Sequence, residues 1–183
     1  MLKEIKNMWW IAVGVYLAFI YSTLGIAPAV WDGLNDVLAG KAKLLVYIVA
    51  FLACIFLLIY VIFVKKEKVV NRYLLLLLFI WAFIALNRLA TRPVEKIHLI
   101  EYGFLSVLVY NALRKHLDPF DKRLYIYGCL FCFGAGLVDE LIQLFLPNRV
   151  FDLRDVFFNT FASITVFLII RFNILQEPQR TLQ

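Results

Sequence analysis

Residues 44–64 run for 21 positions without a charged side chain. At about 1.5 Å per residue, a helix of that length crosses a hydrocarbon core of about 30 Å, and a helix satisfies all its backbone polar groups without outside help. That one segment commits the chain to a bilayer. Residues 8–24, 73–89, 97–113, 124–146 and 153–170 repeat the signal. Composition agrees, with 63% hydrophobic and 17% charged residues against about 45–50% and 25% in a soluble domain. The expected fold is all-α, a polytopic integral membrane helical bundle of six transmembrane helices. It forms one domain over residues 1–183, without linker-like tracts or internal repeats.

The breaks between the segments are readable. Lys3 and Lys6 ahead of residues 8–24 have the pattern of a secretory signal, but the segment is taken as a retained first helix with Trp9, Trp10 and Tyr21 as interfacial anchors. Residues 25–41 contain Pro28, glycine breaks and a short amphipathic middle, too polar and too short to span. Pro93 suits the first turn of the fourth helix, Asp118-Pro119 marks a turn, Pro147 closes the fifth helix and Asp152 could cap the sixth. Cys54, Cys129 and Cys132 lie in apolar runs and read as small buried hydrophobes. The C-x-x-C pair lacks the second cluster that a zinc site needs.

Short loops rich in Lys and Arg stay cytoplasmic. The N-terminal segment, residues 65–72, residues 114–123 and the C-terminal tail hold twelve of the 19 basic residues. The opposite side holds seven: Lys41, Lys43, Arg88, Arg92, Lys96, Arg149 and Arg154. Both termini are therefore expected in the cytoplasm. The net charge of +6 is topological information, and no nucleic-acid partner is expected.

On that orientation, ionisable residues gather at the extracytoplasmic ends of three helices. His98, Glu101 and Tyr102 share a face at i, i+3 and i+4, as do Asp139 with Gln143 and Asp155 with Asn159 at i, i+4. Asp139 and Glu140 lie roughly 10–12 Å inside the outer end of their helix. A charge at membrane depth costs roughly 2.5–3.5 kcal/mol on insertion scales, so such groups face a cavity or one another. A polar cavity open to the extracytoplasmic side follows, ringed by Arg88, Arg92, Arg149 and Arg154, which suit phosphate or carboxylate.

Plainer roles compete for several of these residues. Asp152 could be only an N-cap, Arg149 and Arg154 could neutralise loop acids, and Gln143 and Asn159 could be interhelical hydrogen-bond glue. Tyr102 could be packing or part of an aromatic belt. Glu95 and Lys96 read as a solvated pair, and His116 as inert surface. His98, Glu101, Asp139, Glu140 and Asp155 resist such readings, since a bundle is built more cheaply from apolar residues.

Two runs resemble the VanZ-like family of bacterial membrane proteins, named after a glycopeptide (teicoplanin) resistance determinant. E-K-I-H-L-I-E-Y at 95–102 is similar to the family's acid-Lys-x-x-His-x-x-x-Tyr element. D-E-L-I-Q-L-F-L-P-N-R at 139–149 with D-L-R-D-V-F-F-N at 152–159 is similar to its longer, more specific D-E-x-x-Q-x-F-x-P-x-R…D-x-x-D-x-x-x-N pattern. The motif-bearing part is 95–162. The chain departs from the pattern at Ala162, where members commonly have Gly, and at Glu95, where Asp is frequent. The resemblance implies a multi-span envelope protein, sometimes linked to lowered glycopeptide susceptibility.

Three functions compete. In an enzyme acting on an anionic lipid-linked or phosphorylated envelope molecule, His98 would be general acid or base, oriented by Glu101. Asp139, Glu140 and Asp155 would share a proton or hold a divalent metal, and Arg149 would clamp the anion, with Arg88, Arg92, Tyr102, Gln143, Asp152 and Asn159 in the ligand-binding surround. No nucleophile elbow, H-E-x-x-H or P-loop specifies the reaction. The alternative is a non-catalytic protein that sequesters or presents an envelope ligand or antibiotic. A transporter would want internal repeats or broken helices. Membrane lipids are partners in every case.

Overall fold

The computed structural model describes residues 2–64, 70–89, 93–147 and 149–174, and some side chains within those spans are not described. Seven α-helices follow one another among the described residues. They are α1 (Leu2–Thr23), α2 (Ala27–Val37), α3 (Ala42–Ile59), α4 (Val70–Leu89), α5 (Pro93–Leu113), α6 (Lys122–Gln143) and α7 (Leu153–Ile169). α3 and α7 each continue into a π-helical turn, Tyr60–Val64 and Ile170–Ile174. No strand is present among these residues.

The apolar segments are all helical, with several helices overrunning the segment bounds, α1 from Leu2 and α4 from Val70, and with Pro93 in the first turn of α5 as expected. α5 starts at Pro93, whose missing N–H is no loss in a first turn. α6 stops at Gln143, and the backbone tightens through i→i−3 bonds from Phe145 to Ile142 (3.0 Å) and Leu146 to Gln143 (3.1 Å) before Pro147. α2 is the amphipathic middle of the segment judged too short to span. It bends 73° away from residues 8–23 and buries Trp31. It closes on Ala39 (φ 50°) and Gly40 (φ 80°), where the Gly40 amide returns to Asn35 O at 2.8 Å.

α6 and the stretch Leu153–Phe172 are each long and apolar enough to cross a membrane, and residues 8–37 pass the same test as one bent pair. α5 is the axis of the packing. Leu99, Tyr102, Leu105, Ser106, Leu108, Val109 and Ala112 bury one broad face of it against α1, α6 and α7, while Ile100, Phe104 and Val107 on the other side are exposed. α4 packs on α7 and its π-turn, and its Leu76 is fully buried. α3 stays outside, with Leu45, Ile48, Phe51, Leu52, Phe56 and Ile59 exposed, a surface suited to lipid and not to water.

Small residues let the inner helices close. Gly128, Cys132 and Gly136 form an i, i+4, i+8 stripe on α6, and the Ala162 and Ser163 side of α7 is equally buried. Ala162, standing where the family pattern has Gly, is fully buried without opening the contact. Cys129 and Cys132 are free thiols, half-buried and buried, while the Cys54 side chain lies outside the described residues. Trp10 meets Phe131 edge-on at 5.7 Å.

α6 and α7 start with the same device. Asp121 caps α6 by accepting from the Arg123 amide (2.9 Å), and the Arg123 guanidinium returns to the same carboxylate (2.7 Å). Asp152 caps α7 by accepting from the Arg154 amide (2.9 Å), with the Arg154 guanidinium again at 2.7 Å. The first-turn amides need an acceptor, and an anion there also suits the helix dipole. The Arg123 side chain and amide together hold the exposed Asp121 carboxyl below the usual carboxylate range.

Candidate polar site inside the bundle

α5 and α7 begin at the end of the bundle where α6 finishes. The polar sets inferred from helical spacing therefore meet at one level. His98 (3% exposed), Tyr102, Asp139, Glu140, Gln143, Asp155 and Asn159 are all buried. Asp139 is the hub. Its Oδ2 accepts from Tyr102 Oη (3.2 Å) and lies 3.6 Å from His98 Nδ1, while its Oδ1 accepts from Gln143 Nε2 (3.2 Å). His98 Nδ1 also reaches Glu101 Oε2 at 3.1 Å, one turn further along α5.

Glu140 has a different job from Asp139. Its Oε1 accepts from Gln143 Nε2 (3.2 Å), and its Oε2 accepts from the backbone N–H of Asp152 (2.8 Å). The carboxylate thus ties the end of α6 to the cap of α7, with Gln143 bridging it to Asp139. Asp155, in the first turn of α7, lies near enough to act electrostatically on both Glu140 and His98.

With eight polar or charged groups held within one layer, the arrangement concentrates proton-carrying chemistry. Two carboxylates facing His98 Nδ1 favour the proton on that nitrogen, which leaves Nε2 to accept or donate. Neither His98 nitrogen makes a hydrogen bond of good geometry among the described residues, although Nδ1 lies close to both carboxylates, and both amide atoms of Asn159 are in the same condition. No group of three or more His, Cys, Asp or Glu side chains among the described residues could hold a metal ion. The cluster is largely enclosed: the Glu101 side chain keeps 18% of its surface exposed and Asp139 keeps none.

Other candidates fall outside this layer. The Asp152 carboxylate is engaged as cap and partner of Arg154. Arg149 is half-buried in the loop between α6 and α7, with a buried Nε that meets no hydrogen-bond partner among the described residues. The side chain of Arg88 and all of Arg92 lie outside the described residues.

Several contributors escaped the sequence reasoning. Tyr21 is no free interfacial anchor, because its hydroxyl donates to Ala135 O (2.9 Å) across the α1–α6 contact, one turn from Asp139. Tyr16 Oη donates to Glu101 O at 3.4 Å. Both sit in a plainly apolar helix, so nothing local marked them. Gly136 lies at the meeting point of three helices: a Cβ there would be in ordinary contact with Asn159 Cβ at 3.4 Å and Tyr102 Cε1 at 3.6 Å. Ser106 and Ser163 did carry a signal, at i+4 from Tyr102 and Asn159. Each donates to that residue's carbonyl, at 2.7 and 2.9 Å.

The family model described as VanZ/LLP1 matches residues 16–175, and so takes in every helix from the middle of α1 onward. No curated protein and no solved structure matches the chain. The match spans the resembling runs at 95–102 and 139–159 and most of the remaining chain, and the chain belongs to the VanZ/LLP1 family.

Proposed function

We propose that this protein is a multi-pass envelope membrane protein whose buried polar layer acts on an anionic lipid-linked or phosphorylated molecule at the extracytoplasmic leaflet. Six helices, α1 and α3 to α7, would span the bilayer, with both termini cytoplasmic and the layer toward the outer face. The basic-residue asymmetry supports that orientation. His98 carries the reading. It stands between Glu101 and Asp139, with Nδ1 3.1 and 3.6 Å from their carboxylates, a placement that suits a general acid or base oriented by carboxylates. The reaction class is hydrolysis or transfer. Glu101, the most exposed of the acids, would exchange the proton with solvent, and Arg149 would approach the anion. Tyr102, Gln143 and Asn159 would hold Asp139 and the ligand. A link to glycopeptide resistance would follow from altering such a molecule.

Non-catalytic sequestration of the same ligand is the second reading, favoured by the complete burial of Asp139, Glu140 and Asn159. Mass spectrometry of lipids co-purifying with wild type, His98→Ala and Asp139→Asn separates the two. Catalysis predicts that an anionic phosphorylated lipid accumulates on His98→Ala relative to wild type. Sequestration predicts that it is lost. Absence of any anionic lipid enriched over zwitterionic lipid on wild type and both variants sinks the proposal.

A further inference from the structure

At the opposite end of the bundle, α5 finishes, α6 starts and α7 runs into its π-turn. We propose that this end holds a site for the phosphate of an acidic phospholipid, built on Arg114 and Tyr110 with Arg171 alongside. It is independent of the polar layer at the other end.

Tyr110 is 5% exposed and sits in the apolar core of the bundle, and the polar group beside its hydroxyl is the Arg114 guanidinium, which donates only, so the phenol's own proton has no acceptor among the described residues. A buried phenol normally finds one. The Arg114 guanidinium stands over the same ring, 5.6 Å from its centroid, and its residue is exposed. An anion placed against Arg114 would therefore reach a second donor that the protein leaves unused.

The neighbouring acids are already occupied. Asp121 is taken by the Arg123 guanidinium at 2.7 Å and by the amide of the same residue. Asp118 accepts from the Phe120 amide at 2.7 Å, within the turn. That turn is held in place by the Tyr125 hydroxyl, which donates to Pro119 O at 2.6 Å. On its far side, Arg171 lies over Phe120 (5.0 Å) and Phe172 (5.7 Å). Lys115 and Lys122 add positive charge, so residues 114–123 with Arg171 carry five cations against two carboxylates.

Two sources could supply a phosphate, a lipid or the aqueous phase. The surroundings favour a lipid. Ile126, Tyr127 and Phe172 are exposed beside the cations, at 50%, 52% and 45%, so a bound phosphate would have apolar surface next to it for acyl chains. Cations fixed on aromatic rings at the ends of apolar helices are also the usual arrangement for an interfacial belt reading anionic head groups.

The test uses the detergent-purified full chain, with native mass spectrometry in an equimolar mixture of phosphatidylglycerol and phosphatidylcholine of matched acyl chains. Wild type is expected to retain phosphatidylglycerol preferentially. Arg114→Gln should weaken that retention about fivefold, from the roughly 1 kcal/mol that one basic residue near an anionic head group supplies. Tyr110→Phe should weaken it without changing charge, and Lys41→Gln, at the other end, should leave it unchanged. Helical circular dichroism equal to wild type is required of each variant, and Arg114→Lys, which keeps the charge but not the bidentate fork, should fall between. Equal retention of the two lipids by wild type overturns the proposal. So does an equal loss in Arg114→Gln and Lys41→Gln, or displacement of the lipid by millimolar inorganic phosphate.

Discussion

Gly128→Ala tests the packing that brings the polar layer together. A Cβ built on Gly128 would lie 2.8 Å from one Cε of Phe167 and 3.1 Å from the other, and closer still to Cζ. Carbon contacts are comfortable at about 3.5–4.0 Å, so the ring or the whole of α7 must move by roughly 0.5–1 Å. The ring has little freedom: Phe167 is 1% exposed and stands perpendicular to Tyr125, with centroids 6.3 Å apart. Overpacking of this kind costs about 1–3 kcal/mol, and the better helix propensity of Ala returns about 1. A net loss of about 0–2 kcal/mol is expected, about 1–3 kcal/mol worse than the matched control below, read as the unfolding free energy of the purified protein titrated with SDS. Gly134→Ala is the matched control. A Cβ there meets nothing within 4 Å, so the same chemical change should be neutral or stabilising by up to about 1 kcal/mol. If the two variants are equally stable, α6 and α7 are not packed as described and the placement of the site above them loses its basis.

Glu140→Ala removes the acceptor of both the Asp152 amide and Gln143 Nε2. It should cost about 1–3 kcal/mol by the same titration, while Glu140→Gln, which keeps a carbonyl oxygen for the amide, should lose less than half as much. Equal losses would show that the clasp between α6 and α7 contributes nothing specific. For the proposed orientation, single cysteines at His116 and Val150, both exposed, can be placed in a background lacking the native ones. An impermeant maleimide added to intact cells should label position 150 and not 116, and the reverse pattern would invert the orientation.

The helices were legible because their apolar runs are long: a run such as 44–64 satisfies its own backbone as a helix, and that is the form it takes through α3 and its π-turn. The polar sets were legible for a local reason as well. The i, i+4 spacing of Asp139 with Gln143, and of Asp155 with Asn159, places each pair on one face whatever the helix packs against. The ends were harder to read. α6 stops at Gln143 because residues before Pro147 tighten into a turn, and α2 swings 73° away from α1 at a junction that local propensity describes poorly.

What the chain order could not reveal is which acid meets which partner. Asp139 and Glu140 are neighbours in sequence with the same chemistry. One faces His98 and Tyr102 on α5, whereas the other clasps the Asp152 amide at the start of α7. Tyr16 and Tyr21 join the surround only because α1 packs across α5 and α6. By itself, the sequence determined a set of apolar helices and which polar residues share a face on each. Tertiary structure alone decided how the faces were matched, because contacts across 37 or 114 residues depend on how whole helices pack together, and periodicity within a helix carries no information about its neighbours.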